Sequence, residues 1–115
     1  MKKITIHDIL QFKKYGKKFA TITAYDFTTT QIVEQAGIPL ILVGDSASMV
    51  IFGYDTTIPI SVEEMLFVIK AVSRASRSSL VVADMPFLSY QSSVADAVKN
   101  AGILIKKGGA GAVKL

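Results

Sequence analysis

Three residues with chemistry to offer stand where short apolar runs end: Asp45 after Pro39-Leu40-Ile41-Leu42-Val43-Gly44, Asp84 after Leu80-Val81-Val82-Ala83, and Lys114 after Ala112-Val113. A continuous apolar run bounded by glycine or proline reads as a strand buried on both faces, as in a parallel sheet. The carboxyl ends of parallel strands all face one way, and ligand sites gather there in barrels and open sheets alike. Two carboxylates on one rim repel each other, and a divalent cation keeps both ionised. With oxygen donors and neither His nor Cys nearby, Mg²⁺ is favoured over Zn²⁺, so Asp45 and Asp84 are the candidate metal ligands. Lys114, on the same rim, can pair with an anionic substrate carboxylate, and Ser46 can donate a hydrogen bond to a ligand. Each also has a structural reading. A strand-ending Asp often caps the next helix or holds a turn, Ser46 can simply complete an Asp-Ser turn, and Lys114 can be a surface lysine. The repeated placement is what favours a site.

The elements that must position these residues follow from the sequence pattern. Thr5 can cap a short helix to about Lys14, with Ile6, Ile9 and Leu10 at helical spacing and Gly16 ending it. Phe19 to Ala24 is rich in β-branched and small residues and reads as a strand, after which Asp26 caps a helix from about Thr28 to Ala36. Pro39 to Val43 is the next strand. A looser stretch follows, holding Gly53, Asp55 and Pro59. Ser61 and Glu64 then form a capping-box pattern before a helix to about Arg74. Leu80 to Ala83 is a third strand. Ser92 or Ser93 starts a helix to about Lys106, with an expected apolar stripe of Val94, Ala97, Val98, Ala101 and Ile105. Gly108-Gly109-Ala110-Gly111 follows a helix and precedes a strand, the reverse of a phosphate loop, and reads as a C-cap and tight turn before a strand at Ala112 to Lys114. Strand and helix thus alternate about four times without hairpin signals, which predicts consecutive βα units on a parallel sheet in one domain.

Bulk properties exclude several classes. Half of the 115 residues are hydrophobic, yet the longest apolar stretches fall far short of the roughly 20 residues a spanning helix needs, so no membrane is expected as partner. No export signal is read, because His7, Asp8, Gln11, Lys13 and Lys14 interrupt any apolar core after Met1-Lys2-Lys3. The absence of cysteine rules out disulfides and thiolate chemistry and fits a cytoplasmic location. The net charge of +4 comes largely from lysines beside expected helix ends, where they complement the helix dipole. Aromatics do not interleave with them, so no nucleic acid is expected as partner. The lone His7 lies far from the strand ends and reads as solvated.

The segments Thr21-Ile22-Thr23-Ala24-Tyr25-Asp26, Val43-Gly44-Asp45-Ser46, Gly53-Tyr54-Asp55-Thr56-Thr57, Ala83-Asp84-Met85-Pro86-Phe87 and Val113-Lys114-Leu115, in that order and spacing, resemble the ketopantoate hydroxymethyltransferase family over almost the whole chain. The resemblance implies a (β/α)₈ TIM barrel of the phosphoenolpyruvate/pyruvate type. Residues 1–115 would form one incomplete barrel domain, the N-terminal half of about four βα units, since a full barrel takes about 250 residues. It implies a cytoplasmic homo-oligomer, a decamer in the family. The implied reaction is hydroxymethyl transfer from the co-substrate 5,10-methylenetetrahydrofolate to 3-methyl-2-oxobutanoate, giving ketopantoate for pantothenate and coenzyme A biosynthesis.

The same resemblance assigns Mg²⁺ to Asp45 and Asp84 and 2-oxo-acid contacts to Asp45, Ser46, Asp84 and Lys114. It places no general base in this chain. In the family one glutamate directly after the segment matched by Val113-Lys114-Leu115 completes the metal environment, and a glutamate well downstream is the base. The sequence departs from the pattern at Ala47-Ser48, where Leu-Gly is expected in many relatives. The expectation is a chain that is a piece of a longer product or a poorly stable remnant, inactive alone. Two other readings stay open: another Mg²⁺-dependent 2-oxo-acid carbon–carbon lyase of the related barrels, and a non-catalytic remnant that binds metal or a partner chain through its strand edges.

Overall fold

The computed structural model describes residues 2–115. Its elements run α1 (Ile6–Lys14), β1 (Thr21–Thr23), α2 (Phe27–Gln35), β2 (Leu40–Val43), α3 (Ala47–Val50), α4 (Val62–Ala75), β3 (Leu80–Asp84), α5 (Val94–Lys106) and β4 (Ala112–Lys114). The strands form one sheet in chain order, β1-β2-β3-β4. Every pairing is parallel, with Thr23 opposite Leu42, Val43 opposite Ala83, and Asp84 opposite Lys114. Successive parallel neighbours joined through helices are βα units wound in one direction, the architecture expected from the alternating pattern.

The expected caps hold each helix where the site needs it. Thr5 and Asp8 form a capping box on α1, Asp26 caps α2 through the Thr29 N–H, Ser61 and Glu64 form the capping box of α4, and Ser93 caps α5 through Asp96. Gly16, Gly37 and Gly109 take positive φ at the helix ends, where a side chain would be strained. In α4 the residues Met65, Val68, Ile69, Val72 and Ala75 are buried at helical spacing. The first four pack with Ile41 and Val43 of β2, Val81 and Ala83 of β3, and Leu104 of α5 in one core between helices and sheet. Burying side chains of this size contributes roughly 1.5–3 kcal/mol each.

Three expectations need correction. Only β3 is buried along its whole length; β2 is fully buried at Ile41 and Val43 but only partly at Leu40 and Leu42, and β1 is exposed. Ile41 and Val43 face the helices and join the core, whereas Leu40 and Leu42 alternate to the other side of the sheet and stay partly exposed. On α5 the expected stripe is divided: Val94, Val98 and Ile105 are exposed, and the inward residues are Leu104 with the partly buried Ala97 and Ala101. The apolar residues of α1 likewise bury nothing completely. Finally, the loose stretch after β2 opens with the short helix α3.

Candidate functional site

Strand periodicity decides which side chains meet. Asp84 stands two residues beyond Val82 and so faces with Leu80 and Val82 the side of the sheet away from the helices. Lys114 is its direct cross-strand partner, and parallel register puts the two side chains on the same face. Their charged atoms are 2.9 Å apart, with the Asp84 side chain 10% exposed and that of Lys114 55%. Asp45 comes two residues after the end of β2, where the chain turns toward α3, and its backbone N–H donates to Asp84 Oδ2 at 2.9 Å. Asp45, Asp84 and Lys114, isolated from sequence as strand-end residues, therefore lie together on one rim.

Gly44 makes the close approach possible. A Cβ there would lie 3.0 Å from Ser46 Oγ and 3.7 Å from Asp84 Oδ2, so a bare backbone carbon separates the serine hydroxyl from the carboxylate. Ser46 starts α3 with helical backbone angles, but its side chain makes no capping bond. Its Oγ instead lies 2.6 Å from the hydroxyl of Tyr25, just beyond the end of β1. Tyr25 was legible only as part of a motif. Its place at a strand end, like that of Asp45 and Asp84, was the available signal.

The electrostatics follow from the geometry. Burial, and then the nearby Asp84 charge, push the Asp45 carboxyl above the ordinary aspartate range, against the Lys114 charge and a hydrogen bond from the Ser46 N–H. Direct contact with Asp84 raises the Lys114 ammonium, burial opposes this, and the charges of Asp84, Asp45 and Tyr90 add to the rise. Asp84 Oδ1 is sealed from solvent and accepts no well-aligned hydrogen bond; its 2.9 Å contact with Lys114 is a charge contact. An acceptor-only oxygen held this way fits a hard cation, as does a second carboxyl whose ionisation its neighbours resist. Among the described residues no third His, Cys, Asp or Glu joins the pair. Asp26, the other carboxylate near this rim, is engaged as the cap of α2.

The remaining sequence candidates are apart from this cluster. His7 is exposed on α1. In the Gly108–Gly111 segment the Gly109 N–H bonds to the Ile105 carbonyl at 3.0 Å and the Gly111 N–H to the Val81 carbonyl at 2.9 Å, the turn expected before β4. No helix among the described residues is long and apolar enough to cross a membrane.

Comparison with known proteins gives a consistent picture. The family described as ketopantoate hydroxymethyltransferase matches residues 3–115. The 3-methyl-2-oxobutanoate hydroxymethyltransferase of Carboxydothermus hydrogenoformans is 52% identical over 115 residues, covering 100% of this chain and 42% of the relative. That of Geotalea uraniireducens is 55% identical over 111 residues, covering 96% of this chain and 42% of its own. The chain thus spans about two fifths of the length of these relatives and corresponds to their N-terminal part. Among solved structures, a phosphonopyruvate hydrolase in complex with oxalate and Mg²⁺ superposes with a TM-score of 0.58 at 19% identity, over 70% of this chain and 29% of that one. The likeness is one of fold, parallel strands alternating with helices over the part of that protein that this chain covers.

Proposed function

Because the chain belongs to the ketopantoate hydroxymethyltransferase family, we propose that it carries the metal-binding and 2-oxo-acid-binding portion of a cytoplasmic, homo-oligomeric enzyme. The reaction adds the one-carbon unit of 5,10-methylenetetrahydrofolate, with the hydroxyl supplied by water, to C3 of 3-methyl-2-oxobutanoate in place of a proton, giving ketopantoate and releasing tetrahydrofolate. The observation that carries this reading is Asp84. It is buried at the end of the best-packed strand, with one oxygen fixed by the Asp45 N–H and the other in a 2.9 Å charge contact with Lys114.

Asp45 and Asp84 are the residues that would hold Mg²⁺. When bound, the ion supplies Lewis acidity that favours loss of the proton next to the keto group and stabilises the negative charge that develops on the keto oxygen. Lys114 places a positive charge where the substrate carboxylate arrives, and Ser46 offers it a hydroxyl proton. The carboxylates of the cluster are committed to the cation, so the proton acceptor comes from elsewhere in the complete enzyme, and these residues alone bind and orient without turning over.

Calorimetric titration of the chain with 3-methyl-2-oxobutanoate, with Mg²⁺ and then with chelator, tests the reading. The expected result is binding that requires Mg²⁺ and disappears in Asp84→Asn. Oxo-acid binding that survives chelation would refute it.

A further inference from the structure

We propose that Tyr25 is a positioning residue of the oxo-acid site, acting through Ser46. The inference rests on the reading that the rim binds a 2-oxo acid, and deepens it by naming what aims the hydroxyl at the substrate carboxylate.

The first-turn N–H groups of α3 are taken by backbone carbonyls, that of Ser48 by Asp45 and that of Met49 by Ser46, so the Ser46 hydroxyl makes no capping bond and must find another partner. The oxygen is held 2.6 Å from the Tyr25 hydroxyl, over the bare Gly44 carbon that it shares with Asp84. A phenol is a stronger acid than an aliphatic alcohol, so in this pair the Tyr25 O–H donates and Ser46 Oγ accepts. That assignment leaves the Ser46 proton free to point at a third acceptor. The direction open to it lies toward the cluster of Asp84, Asp45 and Lys114, where an anionic carboxylate oxygen would complete the chain Tyr25 O–H to Ser46 O–H to ligand. A hydroxyl that accepts one hydrogen bond is also a better donor in the next. Tyr25 does not touch the ligand in this arrangement; it fixes the serine hydroxyl and polarises it.

The test is a double-mutant cycle on the 115-residue chain. Binding of 3-methyl-2-oxobutanoate with Mg²⁺ is measured by nuclear magnetic resonance titration for the wild type, Tyr25→Phe, Ser46→Ala and the double variant. Each single variant is expected to bind about tenfold more weakly, and the double variant no more weakly than Ser46→Ala alone, because Tyr25 acts only through the serine. Wild-type affinity in Tyr25→Phe, or losses that add, would overturn the proposal.

A ligand-free readout separates this from failure of the oxo-acid reading. Without ligand, the three-bond couplings of the Ser46 side chain are expected to report one rotamer in the wild type and averaging over rotamers in Tyr25→Phe, where the 2.6 Å contact is lost. If the wild type binds no oxo acid while these couplings respond, the functional reading fails and the hold of Tyr25 on Ser46 stands. Couplings unchanged by Tyr25→Phe sink the positioning role itself.

Discussion

Glu34 of α2 should act as an acid-sensitive clasp on the strand that carries Asp84. Its carboxylate reaches the turn between α4 and β3. Oε1 accepts from the Ser79 N–H at 2.7 Å and the Ser76 hydroxyl at 2.8 Å, and Oε2 accepts from the N–H groups of Arg77 and Ser78 at 3.0 Å each. Partial burial opposes ionisation of Glu34, yet the donors, led by the Ser79 N–H, the Ser76 hydroxyl and the Arg77 N–H, together outweigh it and hold the pKa at about 2 against a usual 4.5. A carboxyl with a depressed folded-state pKa contributes stability that is fully present above about 4.5 and is lost as pH falls through about 2. At ~1.4 kcal/mol per pKa unit the shift sets a ceiling of ~3.5 kcal/mol. Glu34 keeps some solvent contact, which screens it, so ~2 kcal/mol is the working figure. Glu34→Gln should therefore lower the urea midpoint at pH 7 by ~1.3 M, taking a slope of ~1.5 kcal/mol/M for a chain of this size. At pH 2 the variant and the wild type should converge. Asp8 and Glu64 also have lowered pKa values, so the quantity to follow is the difference between the two proteins, not the acid sensitivity of either. A constant difference from pH 7 to pH 2, or none, would refute the clasp.

Two further substitutions test the rim. The raised Asp45 pKa means that the folded chain keeps a proton which the unfolded chain has already released, so this group makes stability fall as pH rises through the raised range; Asp45→Asn should raise the metal-free urea midpoint at pH 7 while weakening Mg²⁺ binding by at least about tenfold in calorimetry, roughly 1.4 kcal/mol. Lys114→Met strips the counter-charge from buried Asp84 and should cost ~2 kcal/mol, less than a fully buried pair because the Lys114 side chain is 55% exposed; adding Mg²⁺ should recover most of that loss in the same urea titration.

Much of this arrangement was legible in the sequence because the relevant signals are local. Apolar runs ending in Asp45, Asp84 and Lys114 gave the strands and the rim, and Thr5, Asp26, Ser61 and Ser93 gave the helix starts. The bounds of β1 were too generous: Phe19 to Ala24 has strand-like residue types throughout, but only Thr21–Thr23 pair with β2, since ladder length is set by the neighbour. The α5 stripe was misdivided for a related reason. Val94, Val98 and Ile105 are apolar at helical spacing, and periodicity alone cannot tell which of two apolar faces meets the core. The Tyr25–Ser46 contact joins residues 21 apart, and Glu34 reaches a turn more than 40 residues away; neither leaves a local pattern.

The distribution of burial across the sheet bears on how the site works. Asp84 ends β3, whose five residues are all buried, whereas Lys114 ends β4, an edge strand of three partly buried or exposed residues. Packing density limits displacement, so the carboxylate is the fixed point and the ammonium the adaptable one. Under the proposed function, the lysine's flexible stem would let it pair with Asp84 when no ligand is bound and turn to an incoming carboxylate while Asp84 stays in place. The hydrogen bond from the Asp45 N–H to Asp84 Oδ2 ties the start of the α3 turn to the same fixed point, and Ser46, the next residue, inherits that position. Ser46 and Lys114 thus both take their positions from one buried side chain, at the far end of β3 from the turn that Glu34 clasps.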